Sequence, residues 1–289
     1  MRKIIVKVFF LSLLMPFQAC FEPESGCLDV NATNFDVSAD DACGDCCNYP
    51  SWTIGVRHFI VPPDNPDTSF NLVYNRYFPT FDNPADTFTI ERIRYFLSNL
   101  KLIKSNGEEV TVEDTIQISI NSEETILTDN FFKGDRDIFA GANIGTLITE
   151  GTFVGVKFCV GLEENLLNTS INTVSDDSQL NVEGDTLLYD QDLGSYLSSL
   201  VVFNRDTVST TDSTIVQIFE KSPEISLMFE APIDIVAGFD VDLTLGVECL
   251  QWFEGIDIPN QTPDLGPTLS QKIVENLTNS FYVIDISQN

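Results

Sequence analysis

From Trp52 onward, apolar and polar residues alternate. In "TIGVRHFI", Ile54, Val56, His58 and Ile60 fall on one face and Thr53, Gly55, Arg57 and Phe59 on the other. That period of two predicts a strand with one buried side. "DTFTIERIRYFLSNLKLI" (86–103) reads as one or two strands with a break near Ser98-Asn99. Further strands are predicted at 115–120, 152–160, 199–204, 214–220, 224–230 and 240–250. The last is the cleanest, because Val241, Leu243, Leu245, Val247 and Cys249 share a face. Turn clusters such as "PPDNPD" (62–67), "KSNGEE" (104–109) and "FKGDRD" (132–137) separate them. Near the end the period changes. Leu269, Ile273, Val274, Leu277 and Phe281 form one stripe behind Pro267, which predicts a helix, and "FYVIDI" predicts a closing strand. Residues 163–195 show no clear pattern. The fold expected over residues 52–289 is mainly β, an antiparallel β-sandwich with long loops and one C-terminal helix.

Upstream the texture differs. Residues 27–50, "CLDVNATNFDVSADDACGDCCNYP", hold few apolar residues. A compact module of that composition needs covalent or ionic staples, because burial cannot supply its stability. Residues 1–19 read as a secretory signal, with basic Arg2, Lys3 and Lys7, the apolar run "VFFLSLL" and a small residue before Cys20. The apolar run is too short to span a bilayer as a stable helix. "FQAC" (17–20) resembles a bacterial lipoprotein box. That resemblance implies cleavage before Cys20, lipidation of its thiol, a tether over 20–26 and an extracytoplasmic outer-membrane lipoprotein on the periplasmic or cell-surface side. The membrane is then a partner through the lipid anchor only.

Charge narrows the partners further. The chain carries a net charge of −29, and losing residues 1–19 leaves 12 basic against 44 acidic residues, a net of −32. Such a surface repels nucleic acid and anionic head groups. An apolar content of 43% with 22 Phe nevertheless requires a real core. With Cys20 set aside, six cysteines remain: Cys27, Cys43, Cys46, Cys47, Cys159 and Cys249. An even number in an exported chain points to disulfides. Two bridges are expected within the module, where three pairings remain open, and one long-range Cys159–Cys249 bridge between strands. A zinc site would need reduced thiolates, and thioredoxin-like chemistry would need the C-x-x-C at a helix start. The module also alternates oxygen donors at Asp29, Asn31, Asn34, Asp36 and Asp40. Calcium takes six to eight oxygens, so this is a candidate calcium loop; an acidic loop of Asx-turns has the same composition.

Two family resemblances follow. Gly26, Cys27, Asp29, Ala32, Asn34, Phe35, Asp36, Ala39 and Asp41, closed by Cys43, Cys46 and Cys47, resemble a Cys-bounded acidic module of secreted bacterial proteins. Tyr95, Phe96, Leu97, Ser98, Asn99, Leu100 and Leu102 resemble the signature strand of the MbnP-like copper-binding protein family. "VRHFIV", "GVKFCVGLEENLLN", "LTLGVECLQWFEGIDI" and "IVENLTNSFYVI" resemble further segments of that family, in its order. The second resemblance implies an extracytoplasmic β domain and a copper function. The family's Trp- and Gly-rich middle segment is degraded here, around residues 176–200. Copper favours imidazole and soft sulfur. With one His and three Met in the chain, His58 is the position that would carry the metal. Its place beside Ile54, Val56 and Ile60 suits a core histidine equally.

No G-x-S-x-G, H-E-x-x-H, P-loop or G-x-G-x-x-G occurs. The expected function is therefore a non-catalytic, lipid-anchored extracytoplasmic binding protein, with copper as the implied metal. The alternative is a cell-surface adhesion or assembly module that binds a protein or glycan, with calcium or no ion.

Overall fold

A computed structural model describes residues 22–138, 140–182, 186–205, 213–258 and 266–289. The signal segment and Cys20 lie outside the described residues. The strands that frame the site are β1 (Ser51–Ile60), β2 (Phe70–Asn71), β3 (Thr87–Lys104), β4 (Phe132–Asp135), β5 (Ala142–Thr146), β6 (Gly151–Val160), β7 (Ser199–Asn204), β8 (Ser213–Ile218), β9 (Ile225–Ile235), β10 (Val241–Glu248) and β11 (Phe281–Gln288). Helix α1 (Gly266–Leu277) precedes the last.

Two sheets result. β3 is the spine of an eight-stranded sheet whose path runs β8, β7, β3, β6, β9, with β4 also paired to β3. The break expected at Ser98-Asn99 is a bulge within one 18-residue strand. Asn99 takes a left-handed φ of 56°, which asparagine tolerates better than most residues. The extra residue turns both Leu97 and Leu100 to the core. The second, five-stranded sheet runs β5, β1, β10, β11, with β2 paired to β1.

One pair departs from the antiparallel expectation: β1 and β10 are parallel, with Trp52 opposite Val241 and His58 opposite Val247. Most of the chain lies between these strands, so no hairpin sets their direction. Matching buried faces does.

The two sheets close on one core, with Ile54 and Leu243 from the smaller sheet and Ile93, Tyr95 and Phe158 from the larger. The predicted helical stripe docks Leu269, Ile273 and Leu277 into the same core. The outer face of the large sheet is covered as well. Phe96 and Leu200 point outward into a second cluster with Leu166, Leu180, Leu188 and Tyr196. Within 163–195, unreadable in the sequence, the described residues 163–182 and 186–195 supply much of that cover, with short 3₁₀ turns among them. Single turns leave no run long enough to show a period.

The module is held by Cys27–Cys47 and Cys43–Cys46. It meets the domain where the Ser51 amide and hydroxyl donate to Asp240 Oδ1 at 2.6 and 2.9 Å.

The expected Cys159–Cys249 bridge does not form; both are free, buried thiols. Phe158 and Val160 face the core between the sheets, so alternation turns Cys159 to the other side of β6. There it lies near Asn99 and Lys221. Cys249 follows β10 on the core face, its thiol 3.8 Å from Val247 O. The large sheet stands between the two sulfurs.

Candidate functional site

His58 sits where the edge of β1 is interrupted. β5 pairs with Ser51–Ile54 and β2 with Phe59–Ile60, which leaves the stretch between them without a strand on that side. A recess of about 320 Å³ opens there, lined by Val56, Arg57, His58, Phe59, Asn71, Leu72 and Arg136. The backbone is pinned beside it by the Leu72 amide, which donates to His58 O at 2.9 Å.

The imidazole is 6% exposed, and its Nε2 lies 3.0 Å from Tyr95 Oη. Tyr95 is fully buried, with the rings of Trp252 and Phe281 at 5.5 and 5.9 Å. Gly134 makes this seat possible. A Cβ at that position would stand 2.4 Å from Tyr95 Cε2, so the ring lies directly on the glycine backbone.

The tautomer follows from satisfying Tyr95. Among the described residues its hydroxyl has one partner, His58 Nε2. A buried phenol proton without an acceptor costs about 1–3 kcal/mol. The phenol therefore donates to Nε2, and in a neutral ring Nδ1 then carries the proton. Burial pushes the His58 pKa down to about 3, Arg136 adds to that fall, and Asp137 opposes it. The ring is thus neutral at physiological pH. Its Nδ1–H has no partner among the described residues, and His58 is one of the residues that line the recess.

Around the recess the charged groups are ordered. Arg136 donates from Nε to Leu72 O at 2.8 Å, pairs with Asp137 at 2.9 Å and lies over the Tyr74 ring. Arg92 reaches the same Asp137 at 3.0 Å. Arg94 pairs with the buried Asp135 at 2.7 Å. Tyr74 Oη accepts from Ile93 N and donates to Ile93 O, both at 3.1 Å.

These residues do not suit copper. The imidazole nitrogen left over from Tyr95 carries a proton, and freeing it would strand the Tyr95 hydroxyl. Arg136 adds a positive charge beside the ring. Among the described residues, no three of His, Cys, Asp and Glu gather in a way that could hold a metal.

The side chains proposed for calcium are engaged in hydrogen bonds within the N-terminal region. Asp29 Oδ1 accepts from the Asn31 amide at 2.9 Å and its Oδ2 from Tyr49 at 2.9 Å. Asp36 Oδ1 accepts from Ser38 N and Oγ at 2.9 and 2.6 Å. Asn34 donates to Cys46 O and accepts from Asn48 N, and Asp40 accepts from Glu24 N. The bonds to Asp29 and Asp36 hold both carboxyls below their ordinary pKa.

The structure thus joins His58 to Tyr95, Arg136, Asn71 and Gly134, and leaves the module donors and both free cysteines out of that site. Tyr95 was detectable in principle, since a tyrosine sharing a buried face with Ile93 and Leu97 needs an acceptor. Arg136 was not, because "FKGDRD" reads as a solvated turn.

A family model described as MbnP matches residues 65–271. Among solved structures, the chain is similar to MbnP from Methylosinus trichosporium at 11% identity, covering 72% of this chain and 79% of that one, with a TM-score of 0.39. No curated protein matches. Tyr95, Gly134 and Arg136 fall inside the span of the family model and His58 just before it. A match over most of the sequence shows that the chain belongs to the MbnP family.

Proposed function

We propose that this chain is a lipid-anchored, extracytoplasmic binding protein without catalytic activity, and that the His58 recess is its binding site. The observation that carries the reading is a buried histidine, locked by Tyr95, that lines an open recess. Nature of the site supports binding: a neutral imidazole donor beside guanidinium groups can hold an acceptor, and no activated nucleophile accompanies it. Family membership brings an association with copper, but the donor set at His58 does not support a copper site. The anchor rests on "FQAC" and its cysteine; no helix among the described residues is long and apolar enough to cross a membrane. The acidic charge supports a protein without nucleic-acid partners.

The anchor is tested by detergent-phase partitioning of the expressed chain and mass analysis of its N-terminal peptide. Acylated Cys20 in the detergent phase, lost in Cys20→Ser, is the expected result; an unmodified Cys20 would refute it. The site is tested by following the imidazole of the chain's one histidine during ligand titrations. A second reading, surface adhesion or assembly with a protein or glycan, is favoured by the apolar residues that the module exposes, Val30 and Val37 among them. Cell adhesion or partner capture that is lost when Val30 and Val37 become Ser would establish it.

A further inference from the structure

We infer that the His58 recess takes the carboxylate of a small organic acid; this deepens the binding reading above and rests on it. The recess is lined by two arginines, His58 and Asn71, and by no carboxylate. His58 Nδ1 carries a proton because Tyr95 occupies Nε2. Arg57 has an exposed side chain with no ion pair or hydrogen bond among the described residues. The Asn71 amide, likewise without a partner among them, can turn its NH₂ inward. Arg136 lies behind these groups, fixed by Leu72 O and Asp137.

The local charge balance agrees. The chain as a whole is strongly acidic, with 15 basic residues in its full length, yet two arginines line this one recess. The carboxylate that acts on His58 is Asp137, which Arg92 and Arg136 hold between them. Its influence on the imidazole is smaller than that of Arg136. A cation entering here would meet guanidinium groups and N–H protons. A carboxylate would meet complementary donors, and charge-assisted bonds to arginine are the stronger kind. At about 320 Å³, the recess stands at the low end of small-molecule sites. That size points to a small acid.

The chain's single histidine makes the test specific. Proton–nitrogen correlation of the imidazole in the full-length protein should first show the Nδ1–H tautomer. Succinate at millimolar concentration and constant ionic strength should then shift its resonances saturably. Arg57→Gln, at an exposed position that does not build the core, should keep the wild-type melting temperature and weaken succinate binding about tenfold or more, the loss of one charge-assisted bond. Asn71→Ala should weaken it less. A succinate response that is unsaturable, or unchanged in Arg57→Gln, would overturn the proposal. Parallel titrations with copper(II) and calcium chloride separate the two levels. If either metal moves the imidazole and succinate does not, the carboxylate is wrong and the binding site stands. If none of the three moves it, both fall.

Discussion

The module at residues 27–50 and the domain behind it adjoin at Ser51 but are built on opposite terms. In the module, Cys27, Ala32 and the boundary Pro50 are buried, while Leu28, Val30, Phe35, Val37 and Tyr49 face solvent. Its order comes from two disulfides, from Asp29 and Asp36 closing turns, and from Asn34 bonding across the module to Asn48. The domain holds its free cysteines unbridged and buries both tryptophans and most of its large side chains. Covalent constraint replaces hydrophobic burial where the sequence is too polar to form a core. Where burial suffices, a buried thiol is simply a small apolar group. Among the polar groups that the domain buries, the Tyr95–His58 pair stands beside an open recess, which makes it the candidate site.

The comparison can be broken most severely from the domain side. Trp252 is fully buried, and its Nε1 donates to Ser280 Oγ at 3.1 Å. Trp252→Ala should cost about 3–5 kcal/mol, read as a large fall in denaturation midpoint, with the module's two bridges intact by peptide mapping. From the module side, replacing Cys27 and Cys47 with Ser opens a loop of sequence separation 20. That should remove about 3 kcal/mol from the module. Faster proteolysis within residues 27–50 at an unchanged domain midpoint is the expected pattern; a midpoint that falls equally would show the two regions to be one cooperative unit. Intact mass should rise by four hydrogens on reduction, from two bridges.

Smaller effects sharpen the site. Tyr95→Phe leaves His58 Nε2 without its donor and should cost about 1–3 kcal/mol. Imidazole nitrogen shifts should then show a changed tautomer; an unchanged Nδ1–H pattern would contradict the locking role of Tyr95.

The pH dependence has a defined sign. The folded pKa of His58, about 3, lies below the ordinary 6.5, so the unfolded chain binds the proton first as pH falls. This contribution to stability is complete above about pH 6.5, and it is lost progressively as pH falls toward 3, by at most about 1.4 kcal/mol per pH unit. His58→Gln should flatten the stability curve between those values relative to wild type. Parallel curves would refute a neutral buried imidazole. Least of all, chelator should leave the module's melting unchanged, because Asp29 and Asp36 are engaged in turns. A chelator-dependent fall in melting would restore the calcium loop.

Much of the fold was legible because burial alternates locally. The faces of β1 and β10 and the stripe of α1 could each be read from a single segment. The bulge at Ser98-Asn99 showed as an interruption whose outcome, one strand or two, depended on neighbours. The cover supplied by Leu166, Leu180 and Leu188 was hidden because these residues pack with Phe96 and Leu200 on the sheet's outer face, without any period of their own. For the site, His58 was legible as a buried position, and Arg136 was not legible at all.

By itself the sequence determined that there is a Cys-rich, acidic module and a β domain, which faces of its strands are apolar, and that any imidazole chemistry must use His58. Composition and period are enough for that, since each depends on residues close together in the chain. The tertiary structure decided which strands became neighbours, and with them everything that rests on pairs. It set β1 parallel to β10, placed Cys159 and Cys249 on opposite sides of the large sheet, and brought Tyr95 to His58 Nε2 and Arg136 to the same recess. Alternation orients a side chain toward a face. Only the packing of the two sheets against each other supplies the partner it meets there.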